Sequence, residues 1–530
     1  MRSTIVTSST SAKADTWGVE MPRNHPLRLS ALAVCLITGL IVALSMPLGR
    51  AQSPTTVTIA LPNDAVSMDP MMHSHAITSA QLVNMYEGLV EFGRDGRLRP
   101  VLAESWEHVS TTIWRFHLRQ GIKFHNGEPF DARSVKYSIE RAMSPGFIVP
   151  AAFYHRLAEV KVAIVNPYIV LISTGRPFNA LLPALENTYM LPPVHAEAVG
   201  RDGFARAPVG TGPYKYVEWV KDQRLVLEAN PDYWGGAPKI KRVVFRPIPD
   251  VSARVAALRA GEVDLSMGID LEFLPIIERS PELKLLTRPG GPLFYIGLNT
   301  LRGPFADRRV RQAANYAVDV EGIIKNILGG RATPTAGLFS ATTPGYDRRL
   351  NRYPYDPQKA KQLLAEAGLP NGFDVDWYVT YLLPGTQKVR DVFQAIQQQL
   401  AQVGIRTTLR VSDNVTLANF LPRGEAPMFS FSWVQEMASG RHLLLLIHSK
   451  TRGWYYRNPQ ADALIDEFLG VLNPDDQPAV GRKLHRLLYD DAVHLFMYQE
   501  PHVYGARANL VYDPKPPFEA LLRVVQMDKK

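Results

Sequence analysis

Met71-Met72-His73-Ser74-His75 gathers two thioethers and two imidazoles into one short stretch. Imidazole suits nickel and copper, and thioether suits copper(I), so the stretch fits a soft metal or a metal chelate. The same residues also make an ordinary loop. Two neighbouring histidines are too few ligands for a closed metal site, and no metal is assigned. Gly210 and Gly212 are spaced as in a phosphate loop, but no third glycine, lysine or serine follows where such a loop needs one. A tight turn is the better account. Nucleophilic catalysis has no foothold: there is no Gly-x-Ser-x-Gly elbow, no His-Glu-x-x-His pair, and the only cysteine, Cys35, sits in an apolar N-terminal run. Scattered Asp and Glu do not define a glycosidase pair. No catalytic residue and no cofactor is assigned.

The elements that would position such groups begin with a hairpin downstream of Pro208. Tyr214–Trp219 reads as a strand, Lys221–Gln223 as a reversal, and Leu225 and Leu227 share one face of the returning strand before a turn at Asn230-Pro231-Asp232. Upstream, Thr56 opens another alternating strand, and Asp131 is placed to cap a helix with Val135, Ile139 and Ala142 on one face. From about Phe294 the texture changes to long helices alternating with strands. Asp307, Asp319, Asp356 and Asn458 stand at their starts, the last two followed by proline at the first helical position. After Tyr504 the chain reads as irregular. A mixed sheet, then a βα-rich middle, then a short tail suggests one lobe interrupted by another, the tail returning to complete the first.

A chain of 530 residues is too long for one core and implies two or three packed units. Its 46% apolar and 21% charged residues are those of a folded globular protein. The formal charge is +9, falling to +6 without residues 1–51, and no lysine/arginine block forms the stripe that nucleic acid needs. Arg23 and Arg28 precede an apolar run from Leu29 to Met46, followed by small residues up to Ala51, which is the pattern of an export signal. Residues 1–51 are read as that signal and the protein as periplasmic, with an uncleaved membrane anchor as the rival. Lipidation at Cys35 is discounted because Val34 stands where a small residue is wanted. The mature chain then has no cysteine, and core burial must stabilise it.

Several stretches together resemble the bacterial extracellular solute-binding proteins of family five, the peptide- and nickel-type receptors of ABC importers. They are Leu98–Trp106, Trp114–Phe116 with Leu118–Gly127, the Pro208–Trp234 hairpin, Ala257–Leu265, Asn299 with Asp307, Val310, Arg311, Gln312 and Ala313, and Arg457–Glu467. They span nearly all of the mature chain in family order. The resemblance implies an α/β, two-lobed periplasmic-binding-protein type II-like fold with an extra subdomain in lobe I. Lobe I would be residues 54–290 (the subdomain about 90–195), lobe II 291–499, and 500–530 a return segment completing lobe I. Crossings are placed near Thr287–Gly291 and Gln499–Tyr504.

In such a receptor the loop after the first strand and the strand ending near Trp433 face the cleft. That nominates Met72, His73, Phe431, Trp433, Gln435, Glu436 and Arg441 for ligand binding, with Tyr498 near the second crossing. Trp433 suits stacking on a ligand, and equally a core. Peptide receptors of this kind place an aspartate shortly after the tryptophan. Here the segment Trp433–Gly440 has none, and Glu436 is the nearest carboxylate for an ammonium. The implied partners are a small solute (peptide-like, opine, oligosaccharide or chelate) and an inner-membrane ABC permease, with a monomeric receptor and no nucleic acid. An exported hydrolase, or a chaperone or sensor on the same fold, is the alternative.

Overall fold

Strand β1 (Thr56–Leu61) opens the fold and is buried along almost its whole length. The chain then builds a four-stranded antiparallel sheet, the core of the subdomain, from β2 (Ala103–Ser110), β3 (Ile113–Leu118), β4 (Lys161–Asn166) and β5 (Ile169–Ser173), in the order β2-β3-β5-β4. Helix α1 (Ala132–Met143) lies against β4 and β5. Asp131 caps it by accepting from the Arg133 N–H at 2.8 Å, and Val135, Ile139 and Ala142 are buried. These observations come from a computed structural model that describes residues 56–529, except 74, 94–96, 148–157, 289, 342, 382–387, 434–442, 444–445 and 515–521.

The hairpin expected after Pro208 is β6 (Tyr214–Val220) with β7 (Arg224–Ala229), and Leu225 and Leu227 are fully buried. The turn before it is structural, as its spacing implied. A Cβ on Gly210 would lie 2.0 Å from the Met85 carbonyl oxygen, and the Gly212 N–H donates to that oxygen at 2.9 Å. Tyr233 and Trp234, which close the hairpin, both donate to buried Glu87, at 2.7 and 3.1 Å. Burial raises the Glu87 carboxyl against these bonds.

β8 (Arg242–Pro247), β9 (Leu265–Met267) and β10 (Leu283–Arg288) complete this part of the chain. The next six strands form a second sheet: β11 (Leu293–Leu298), β12 (Thr333–Pro334), β13 (Phe373–Val379), β14 (Ile405–Val411), β15 (Met428–Trp433) and β16 (His494–Gln499), in the order β12-β16-β11-β15-β13-β14. Asp307, Asp356 and Asn458 cap helices here, accepting backbone N–H bonds at 2.8, 2.9 and 3.0 Å. The last of those helices is α2 (Pro459–Gly470), followed by α3 (Gln477–Asp490).

The chain then returns as β17 (His502–Arg507), inserted between β10 and β9 and antiparallel to both. The first sheet therefore runs β10-β17-β9-β1-β8-β7-β6. The irregular tail expected after Tyr504 is corrected here: β17 continues to Arg507, because two neighbouring strands supply its ladder bonds. Sheets one and two are the frames of the two lobes, each with its own apolar core.

Candidate functional site

Two chain segments pass between the sheets, and they travel together. On one side Arg288 of β10 pairs with His502 of β17, and on the other Leu293 of β11 pairs with Gln499 of β16. Between them the Glu500 N–H donates to the Pro292 carbonyl at 2.9 Å, and Gln499 Nε2 donates to Gly291 O at 2.9 Å. Adjacent strands that bend together make a hinge. Gly291 is required by the closeness of the two segments, since a Cβ there would sit 2.4 Å from Glu500 O and 2.9 Å from the Pro501 carbonyl carbon. Gly291→Ala must move backbone rather than a flexible side chain, and is expected to cost about 1–3 kcal/mol. A urea midpoint matching the parent protein would show that the crossing has slack.

Cavities open against this crossing. One, of about 390 Å³, is bounded by Asn63, Ile77, Met267 and Asp270 of the first lobe, and by Leu328 and Arg331 of the second. Another, of about 380 Å³, shares Arg331, Glu500, Pro501 and Val503 with it and adds Thr335, Ser340 and Tyr346. Arg331 also spans the lobes, with Nη2 at 2.7 Å from Oε1 of Glu278 on the first-lobe helix Leu274–Glu278. Arg288 and Glu500 are buried at the crossing, and His502 is half-buried with its Nε2 out of reach of solvent. Burial, with the Arg288 cation behind it, holds the His502 imidazole well below its ordinary value, so that it is neutral near pH 7.

The loop after β1 carries the next group. Asp69 has no exposed surface and holds Arg141 at the end of α1, with Nη2 on Oδ2 at 2.6 Å and Nη1 on Oδ1 at 3.1 Å. Oδ1 also accepts from the Met71 N–H at 3.0 Å. This pair ties the loop that carries His73 to the subdomain. The His73 Nδ1 accepts from the His75 N–H at 3.3 Å, which places the ring proton on Nε2. That Nε2–H is buried and finds no acceptor among the described residues. Desolvation, with a smaller contribution from His75, lowers His73 to about 4. Met72 beside it is half-buried. Among the described residues no group of three or more His, Cys, Asp or Glu side chains could hold a metal ion.

On the second lobe, Phe431 is half-buried near the end of β15, with its ring 5.9 Å from Tyr295 and 5.4 Å from the Arg452 guanidinium. Trp433 is the last residue of β15, in register with Leu293 next to the crossing. Gln435, Glu436 and Arg441 lie outside the described residues. Tyr498 is not a cleft residue. It has no exposed surface and packs 5.3 Å from Phe294 inside the second lobe's core, where burial drives its hydroxyl far above the usual tyrosine range. The expectation that it faces a ligand is corrected by the register of β16, which puts Phe294 opposite it.

The profile of the bacterial extracellular solute-binding proteins, family 5, matches residues 97–454. The chain belongs to this family. Among relatives, the glutathione-binding protein GsiB of Escherichia coli K12 is 29% identical over 473 residues, covering 86% of this chain and 90% of that protein. GsiB of Salmonella paratyphi A is 32% identical over 383 residues, covering 71% and 73%. The periplasmic binding protein DppA of Helicobacter pylori, solved with the peptide STSA, superposes with a TM-score of 0.77 at 27% identity, covering 89% of this chain and 98% of that one. The family 5 protein described here is thus a two-lobed solute-binding component of an ABC importer, of a family that binds rather than transforms its solutes. Among the described residues no helix is long and apolar enough to cross a membrane.

The Asp69–Arg141 pair, Arg331 and Glu500 were missed by sequence reasoning. Asp69-Pro70 lies within the loop that follows the first strand and was a usable signal for the first of these. Nothing local marks the others.

Proposed function

We propose that the protein captures a short peptide or peptide-like zwitterion between its lobes in the periplasm and presents it to an inner-membrane permease. In this reading, lobe I comprises residues 54–290 with 500–530, lobe II is 291–499, and residues 1–51 are the export signal. The observation that carries it is the paired crossing with cavities walled by both lobes, since a ligand there is enclosed only when both bodies contribute. One relative is a glutathione-binding protein and another was solved with a bound peptide, and both point to the same ligand class. His73 supplies an N–H donor, Trp433 a stacking face, and Glu436 the carboxylate that receives an ammonium in place of the missing aspartate.

Titration calorimetry and thermal-shift measurements on the exported protein test this with reduced glutathione, di- to tetrapeptides, opines, an oligosaccharide and a nickel–histidine chelate. A peptide-like compound is expected to bind at micromolar strength, about −8 kcal/mol, and to be recovered chemically unchanged. Trp433→Ala and Glu436→Ala should each weaken it about tenfold or more, the loss expected for a stacking or charge-assisted contact. Exclusive binding of the chelate would replace the ligand class, turnover would replace the receptor, and full affinity in both variants would remove those residues from the site.

A further inference from the structure

Helix α2 carries the Arg457–Glu467 motif, and neither cavity uses it. Its C-terminal end instead meets the subdomain, at the segment that follows β5. The Asn179 N–H donates to Leu469 O at 2.6 Å, and Asn179 Nδ2 donates to Phe468 O at 3.0 Å and to Val471 O at 2.7 Å. The last carbonyls of a helix lack partners within it and are usually satisfied by the residues that follow. Here one asparagine from the other lobe serves two of them, Phe468 O and Leu469 O, and also the carbonyl of Val471, the residue that follows the helix. One turn earlier, Arg176 Nη1 reaches Asp466 Oδ1 at 2.8 Å, while Asp466 Oδ2 lies 3.5 Å from Nε2 of buried His448. Phe178, Phe468 and Leu469 are all buried, and a single apolar cluster runs from the subdomain core into the second lobe.

The subdomain is also tied to the first lobe, through Asp69–Arg141 and through the His125 ring nitrogen against Gly212 O at 2.9 Å. It therefore spans the same two bodies as the hinge, by a separate route. We propose that the contact of Arg176 and Asn179 with the C-terminal end of α2 is a closure latch, which sets solute affinity through the open–closed equilibrium without touching the solute. This rests on the two-lobe capture mechanism proposed above. Apparent affinity scales with the fraction of molecules able to close, so a weakened latch raises Kd by the factor by which it lowers that fraction. A latch also constrains which parts must separate: the subdomain moves with the first lobe and releases α2.

Asn179→Asp keeps the shape of the side chain but removes both Nδ2 donors and sets an anion against carbonyl oxygens. Combined with Arg176→Ala, it disables the contact. The test uses the full chain carrying Cys35→Ser, with spin labels on Lys161→Cys in the subdomain and Lys483→Cys on α3, both exposed positions. Without added solute, the double substitution is expected to shift the spin–spin distance distribution to longer values and to lower the short-distance population by about tenfold. With reduced glutathione as probe, Kd should rise by the same factor. A folded variant with an unchanged distance distribution overturns the latch, and so does a lowered melting temperature without a distance shift, which would mark a fixed brace. Glutathione failing to bind the parent protein would count against the proposed ligand alone, because the distance measurement needs no ligand.

Discussion

Asp69→Ala is expected to destabilise the protein by about 3–5 kcal/mol, the usual consequence of removing one partner from a buried ion pair. Asp69 has no exposed surface, and Arg141 opposite it is nearly buried. The Arg141 guanidinium also touches Met71 Sδ at 3.2 Å and lies 4.3 Å from the centre of the Phe147 ring. Without the carboxylate, that cation stays among groups unable to neutralise it, and the Met71 N–H loses its acceptor as well. Urea denaturation should show a lower midpoint with little change in slope. The companion Asp69→Ala/Arg141→Met removes both charges, and is expected to recover part of the loss, giving a coupling energy of about 1 kcal/mol or more in a double-mutant cycle. Strict additivity would mean that the pair does not act as a unit. The loop bearing Met72 and His73 hangs from this pair, so glutathione or peptide affinity should fall in the single variant even at temperatures where it remains folded.

What could be read in advance follows the range over which each feature is encoded. The helix starts at Asp131, Asp307, Asp356 and Asn458 are local chemistry, a side-chain oxygen meeting an N–H two or three residues on, and the structure has each bond. The β6–β7 hairpin is equally local, with alternation on both strands and a three-residue reversal between them. Arg141 is 72 residues from Asp69, and Asn179 is 289 from Phe468. Neither leaves a periodic signal, because a long-range pair constrains two positions rather than a pattern. Tyr498 shows a second limit. Every residue of β16 from His494 to Tyr498 is buried, so alternation cannot tell a cleft face from a core face there. The return strand β17 was hidden for a related reason: what makes it a strand is the pair of neighbours already waiting, not its own composition.

Mild acid should unfold the protein well before its carboxylates protonate. Burial lowers His73, His125 and His485 to about 4, and His494 to about 3. In the unfolded chain each returns to about 6.5. Between those values the unfolded state binds protons that the folded state refuses, so stability is intact above about pH 6.5 and falls as the pH drops below it. By pH 5 each imidazole withdraws about 2 kcal/mol, and the four together about 8 kcal/mol, comparable with the whole stability of an ordinary domain. Glu87 acts in the opposite sense. Its carboxyl is raised, so its contribution is largest in acid and declines as the pH rises through its folded value, offsetting part of the loss near pH 5. Carboxylates held low by arginine, such as Asp347 at about 2, keep their contribution until the pH is lower still. Melting temperatures measured from pH 7.5 to 4.5 should therefore hold steady above about pH 6.5 and then fall steeply. His494→Gln would test one term directly. The ring sits between Tyr455 and Tyr295 with Nε2 at 3.1 Å from the Tyr455 hydroxyl, so the variant should lose stability at pH 7.5 yet show a shallower decline below 6.5. A parent curve that stays flat down to pH 5 would mean that these imidazoles are charged, or hydrated, in the folded protein.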